Sequence, residues 1–100
     1  MKQRQIEGQK AAQAAARILR DRFKVRRIVL FGSLLNHEKM HDRTDIDLAV
    51  WGLPGHQRIK AGVAIDGVSY SHGFGPIDLV PFEVAFPHIQ AAILEEGIDL

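Results

Sequence analysis

Residues 28–51 read IVLFGSLLNHEKMHDRTDIDLAVW, and the fold turns on how that stretch is parsed. An apolar run stops at Gly32-Ser33, a polar connection follows, and the chain returns as Asp45-Ile46-Asp47-Leu48-Ala49-Val50-Trp51. The first run is β-branched and apolar, which predicts a short buried strand over Arg27–Phe31 ended by Gly32. The return alternates. It predicts a strand over Asp45–Trp51, with Ile46, Leu48 and Val50 facing one way and Asp45, Asp47, Ala49 and Trp51 the other. Between them, Ser33-Leu34-Leu35 fits the first turn of a short helix capped by Ser33, and Asn36–Thr44 a loop.

The chemistry of the stretch lies in its carboxylates. Asp45 and Asp47 share one strand face, roughly 6 to 7 Å apart at Cα from the rise per residue. Both can lean on one divalent cation or straddle a pair. Hard oxygen donors without cysteine select Mg²⁺ or Mn²⁺ over zinc. Asp78, between Ile77 and Leu79, repeats the setting and can join the same cluster. Three aspartates on one face repel one another unless a cation or donors neutralise them. Gly32 lets a phosphate approach the backbone, and the amides that follow, with the Ser33 hydroxyl, can bind it.

Upstream, Gln5–Arg22 carries a helical period in Ala11, Ala15, Ile18, Leu19 and Arg22, and alanine is the strongest helix former. Arg20, Arg22, Lys24, Arg26 and Arg27 cluster at its end, read as a solvated, dipole-favoured helix terminus rather than a phosphate patch. Downstream, Gly52-Leu53-Pro54-Gly55 is a turn. His56–Tyr70 holds a weak helical signal in Ile59, Val63 and Ile65, diluted by Gly62 and Gly67. Ser71–Pro76 is a turn, and Ile77–Pro81 a third short strand ended by Pro81. Pro87 opens a last helix with Ile89, Ala92 and Ile93 on its apolar side, stopped by Gly97. This order predicts an α/β fold: a single domain over residues 1–100, with a small mixed sheet of three or four strands flanked by helices.

The 100 residues are 46% apolar and 25% charged with a net charge of +1, ordinary for a globular chain and no field that favours nucleic acid or membrane. There is no cysteine, and neither a signal-peptide core nor a spanning apolar run, so the expectation is a cytoplasmic protein without disulfides. His37-Glu38-Lys39-Met40-His41 matches the H-E-x-x-H zinc-peptidase pattern. Its flanks supply neither an apolar helix face nor a third ligand, so the peptidase is the remote alternative. Trp51 reads as packing rather than a base platform. For Tyr70 and Phe74 loop packing is preferred to contact with a nucleotide base, and Lys60 is a weak candidate for a triphosphate.

Phe31-Gly32-Ser33, then Asp45-Ile46-Asp47 after a polar spacer, then Asp78 in Ile77-Asp78-Leu79-Val80, resemble a minimal nucleotidyltransferase domain of the DNA polymerase β superfamily. The ending, Ile93-Leu94-Glu95-Glu96-Gly97-Ile98, resembles the close of such domains, so the likeness covers nearly the whole chain. The resemblance implies Mg²⁺-dependent transfer of a nucleoside monophosphate, AMP from ATP, to an acceptor hydroxyl. It assigns Asp45, Asp47 and Asp78 to metal binding and catalysis and Gly32 and Ser33 to the nucleotide. It implies a helical HEPN-type protein as partner and acceptor, with this chain as the antitoxin of a toxin–antitoxin pair. Self-association stays open. Leu34 stands where such domains carry an arginine after Gly-Ser, which leaves a second reading: a catalytically degenerate module that neutralises a helical partner by binding it.

Overall fold

The computed structural model describes residues 2–32 and 46–100, in the order α1 (Lys2–Phe23), β1 (Arg27–Phe31), β2 (Asp47–Trp51), α2 (Arg58–Ser71), β3 (Asp78–Pro81), α3 (Pro87–Glu96) and β4 (Ile98–Asp99). The predicted short helix from Ser33, the loop after it, the strand position of Asp45 and the His37–His41 motif lie outside the described residues.

The strands form one mixed sheet in the order β3-β2-β1-β4. β1 and β2 are antiparallel, with Phe31 opposite Asp47 and Arg27 opposite Trp51. β2 and β3 are parallel, with Asp47 beside Asp78. A parallel pair needs a long crossover, and α2 is that crossover. The fourth strand is β4, which pairs antiparallel with β1 through Val29–Asp99 and Leu30–Ile98.

The alternation in β2 holds. Ile46, Leu48 and Val50, with Ile28 and Leu30, face α1 and α2 in the main core. Ala49, Val29 and Ile93 form a smaller cluster under α3, extended by half-buried Phe31, Trp51, Val80, Phe82 and Ile89. The last helix behaves as its spacing predicts, with Pro87 in its first turn, Ile93 buried and Gly97 as its cap.

Two helices differ in register from their sequence patterns. In α1 the buried seam is Ala11, Ala12, Ala15, Ala16, Leu19 and Phe23, while Ile18 is half-buried and Arg22 exposed. Phe23 takes the last inward position because burying its ring is favourable whereas burying an unpaired charge is costly, and the Arg22 guanidinium lies over that ring at 5.8 Å. In α2 the inward residues are Ala61, Ile65 and Ser69, whereas Ile59 and Val63 are 84% and 70% exposed. Of the three residues in the sequence pattern only Ile65 faces inward; Ile59 and Val63 form an outward stripe, and the seam is completed by the small Ala61 and Ser69. Ser69 is buried because its hydroxyl donates to the Gly75 carbonyl at 2.6 Å and fastens the turn into β3.

The basic cluster after α1 is structural. Arg20 donates to the Leu100 carbonyl, Arg26 pairs with Glu83 at 3.7 Å, and Arg27 pairs with Asp99 at 2.7 Å. α2 also protects the β3 edge from pairing with another chain. Asp66 accepts the Ile77 N–H at 2.9 Å, Arg58 donates to the Leu79 carbonyl at 3.3 Å, and Pro81 has no N–H to offer.

Candidate active site

β1 ends at Gly32, whose φ of +88° is a left-handed value that glycine adopts without a steric penalty. Because Phe31 pairs with Asp47, the chain leaves β1 beneath the Asp47 side chain. A Cβ at Gly32 would collide with Asp47 Oδ2 and stand 3.1 Å from its Cγ. Glycine is required here twice, by its backbone angle and by the carboxylate lying against it.

The parallel register sets Asp47 directly beside Asp78, about 4.8 Å apart at Cα as for any neighbouring strands, and on the same face. Asp47 is half-buried and Asp78 exposed. Both point to the face that α3 covers, and α3 lies against β1 rather than over the start of β2 and β3. The open part of that face is a cavity of about 530 Å³ lined by Phe31, Asp47, Arg58, Asp78, Val80, Pro81, Val84, Ala85, Phe86 and Ile89. That volume suits a small molecule. It runs along β3 from the carboxylates to an apolar stretch.

Gly32, Asp47 and Asp78 are thus brought together, while Ser33 and Asp45 lie outside the described residues. No group of three His, Cys, Asp or Glu gathers among the described residues. The two paired carboxylates fit a hard divalent cation: oxygen donors, adjacent, at the mouth of a cavity.

Sequence reasoning missed Arg58, Val84 and Phe86. Arg58 opens α2, and among the cavity's described lining residues it is the one basic side chain. Lys60 does not line this cavity; it is exposed on the outward side of α2. No sequence signal marks Arg58; the parallel pairing of β2 and β3 returns the start of the crossover helix to the β3 edge and so brings it there. Phe74 is buried in the main core, and Tyr70 is exposed on α2, outside the cavity lining. Trp51 packs as expected, stacked on Phe82 at 4.4 Å with Arg27 over it at 4.6 Å.

Residues 13–100 match the family described as polymerase beta, nucleotidyltransferase. Among solved structures, a toxin–antitoxin complex with AMP-PNP contains a chain similar at 24% identity and a TM-score of 0.71, over 87% of this chain and 69% of that one. A minimal nucleotidyltransferase is similar at 24% identity and a TM-score of 0.69, over 91% of each chain. A complex of a tri-AMPylated Shewanella oneidensis HEPN toxin with its MNT antitoxin is similar at 23% identity and a TM-score of 0.67, over 92% and 70%. Comparison with curated protein sequences gave no match. These structural likenesses establish the fold.

Proposed function

Since the chain belongs to the polymerase β nucleotidyltransferase family, we propose that it transfers a nucleoside monophosphate from a nucleoside triphosphate to an acceptor hydroxyl. The observation that carries this reading is the pairing of Asp47 with Asp78 beside Gly32, at the mouth of a cavity of small-molecule size. ATP is the proposed donor, and a hydroxyl of a HEPN-type protein the proposed acceptor. Both are supported by similarity to chains described as bound with AMP-PNP and as complexed with an AMPylated HEPN toxin. This chain would then be the antitoxin of such a pair.

In the reaction the acceptor oxygen bonds to the α-phosphorus, the bond to the bridging oxygen breaks, and pyrophosphate leaves. Asp45, Asp47 and Asp78 are the residues to hold Mg²⁺ or Mn²⁺. Such a cation supplies Lewis acidity for the charge that builds on the phosphate oxygens. Gly32 and Ser33 would seat the phosphates through backbone amides and a hydroxyl, and a Cβ at position 32 would close that approach. Asp78, the exposed carboxylate of the pair, would complete the metal site and help to activate the acceptor hydroxyl. The Arg58 guanidinium donates to the Leu79 carbonyl, and its fork has further donors to offer a phosphate oxygen.

Calorimetric titration with ATP, with and without Mg²⁺, tests this against Asp47→Asn/Asp78→Asn. The wild type is expected to bind only with the cation. The double variant should lose more than about a hundredfold in affinity, since even outer-shell changes at metal sites cost tenfold to a hundredfold. A folded wild type that ignores ATP in Mg²⁺, alone and with its partner, would sink the transferase reading in favour of a pure binding module.

A further inference from the structure

The apolar half of the cavity is unusual for a surface. Val84 and Phe86 are 77% and 73% exposed, two large apolar side chains in one short turn. Their backbone is held. Gln90 Nε2 donates to the Phe82 carbonyl at 2.7 Å, the Phe86 carbonyl accepts the Ile89 and Gln90 N–H groups at 2.9 Å, and Trp51 stacks on Phe82. Phe86 caps α3 at φ −62° and ψ 150°, the extended geometry that a following proline favours, and Pro87 follows. The chain therefore fixes a bare aromatic ring at the rim of a cavity whose other end carries Asp47 and Asp78. The Phe86 ring lies nearly parallel to the His88 imidazole, 8° off at 6.1 Å between centroids. The other rings are placed differently: Phe23 and Phe74 lie in the core, Trp51 and Phe82 stack on each other, Phe31 is half-buried beside Asp47, and exposed Tyr70 lies on α2 outside the cavity lining.

We propose that this rim is the nucleobase subsite, with Phe86 stacking on the base and Val84 and Ile89 closing around it. The proposal rests on the nucleotidyltransferase reading and deepens it. The carboxylate end takes the phosphates with their cation and the apolar end takes the ring, so one ligand with both ends spans the cavity. Stacking on an exposed aromatic tolerates any base. The subsite thus confers affinity for nucleotides over bare polyphosphates, and its selectivity among bases is modest.

The full chain is titrated in Mg²⁺ with ATP and with inorganic tripolyphosphate, which has the phosphates and no base. Wild type is expected to bind ATP more tightly. Phe86→Ala should weaken ATP by about tenfold and leave tripolyphosphate unchanged. Phe86→Trp should keep or tighten ATP binding, and both variants should melt with the wild type because the side chain is exposed. Unchanged ATP affinity in Phe86→Ala would overturn the proposal and leave the patch as a protein-docking face. Equal loss for both probes would overturn it too, as would equal wild-type affinity for both. A wild type that binds neither probe instead brings down the transferase reading on which the subsite rests.

Discussion

The two faces of the sheet are built from the same strands and do opposite work. On one, Ile28, Leu30, Ile46, Leu48 and Val50 disappear beneath α1 and α2, and polar groups are nearly excluded. On the other, α3 covers only the β1 side with Val29, Ala49 and Ile93, and the uncovered corner holds two carboxylates and a cavity. Stability is concentrated on the first face, which leaves the second free to carry adjacent like charges that cost folding energy. Alternation along a single strand, Leu48 one way and Asp47 the other, is enough to separate the two duties.

If that division is right, truncation on the two faces should differ sharply. Leu48→Ala empties a fully buried position and is expected to cost about 2–5 kcal/mol in denaturant unfolding. Val80→Ala, half-buried on the cavity face, should cost under about 1.5 kcal/mol, and equal losses would break the comparison. At the junction of the faces, Gly32→Ala must adopt a left-handed angle and meet Asp47. It is expected to cost about 1–2 kcal/mol from the backbone angle. ATP affinity in Mg²⁺ should fall further than that loss of stability explains, which sets unfolding beside calorimetry on one variant.

The smallest effect lies at the far edge. Hydrogen bonding to the Arg27 guanidinium, and then its charge, hold the Asp99 carboxyl below its ordinary value, and the same bond raises Arg27. A depressed carboxyl stabilises the fold above its unfolded value of 3.8, and that contribution fades as the pH falls through the lower folded value. Acid unfolding of Asp99→Asn should therefore lack a small destabilisation near and below pH 4 that the wild type shows. Both side chains are solvent-exposed, so the difference should shrink in high salt. A wild-type acid profile identical to that of Asp99→Asn would remove this ion pair from the account of how β4 is held.

Much of this was legible in the chain. Period-two alternation marks β2 because a half-buried strand can satisfy both faces in no other way, and glycine at 32 and proline at 87 mark where strand and helix stop or start. Asp47 and Asp78 stood out as aspartates in apolar runs. The α2 register was misread for a physical reason. Ile59 and Val63 were read with Ile65, but only Ile65 faces inward, beside Ala61 and Ser69, whose small side chains permit close packing. Periodicity finds a helix. It cannot say which of two stripes has a neighbour. Arg58 and Phe86 were invisible for a similar reason, since neither sits in a pattern and each matters only through what the fold sets beside it.

By itself, then, the sequence determined the strands around Gly32, the faces of β2, the last helix and the identity of the carboxylates. These depend on local sterics and on alternation within a few residues. Tertiary structure decided the rest: the parallel register that sets Asp47 beside Asp78, the guarded β3 edge, the partial cover of α3 and the ring at the rim. These are contacts between distant segments, chosen by which surfaces can be buried together, and no local pattern encodes that choice.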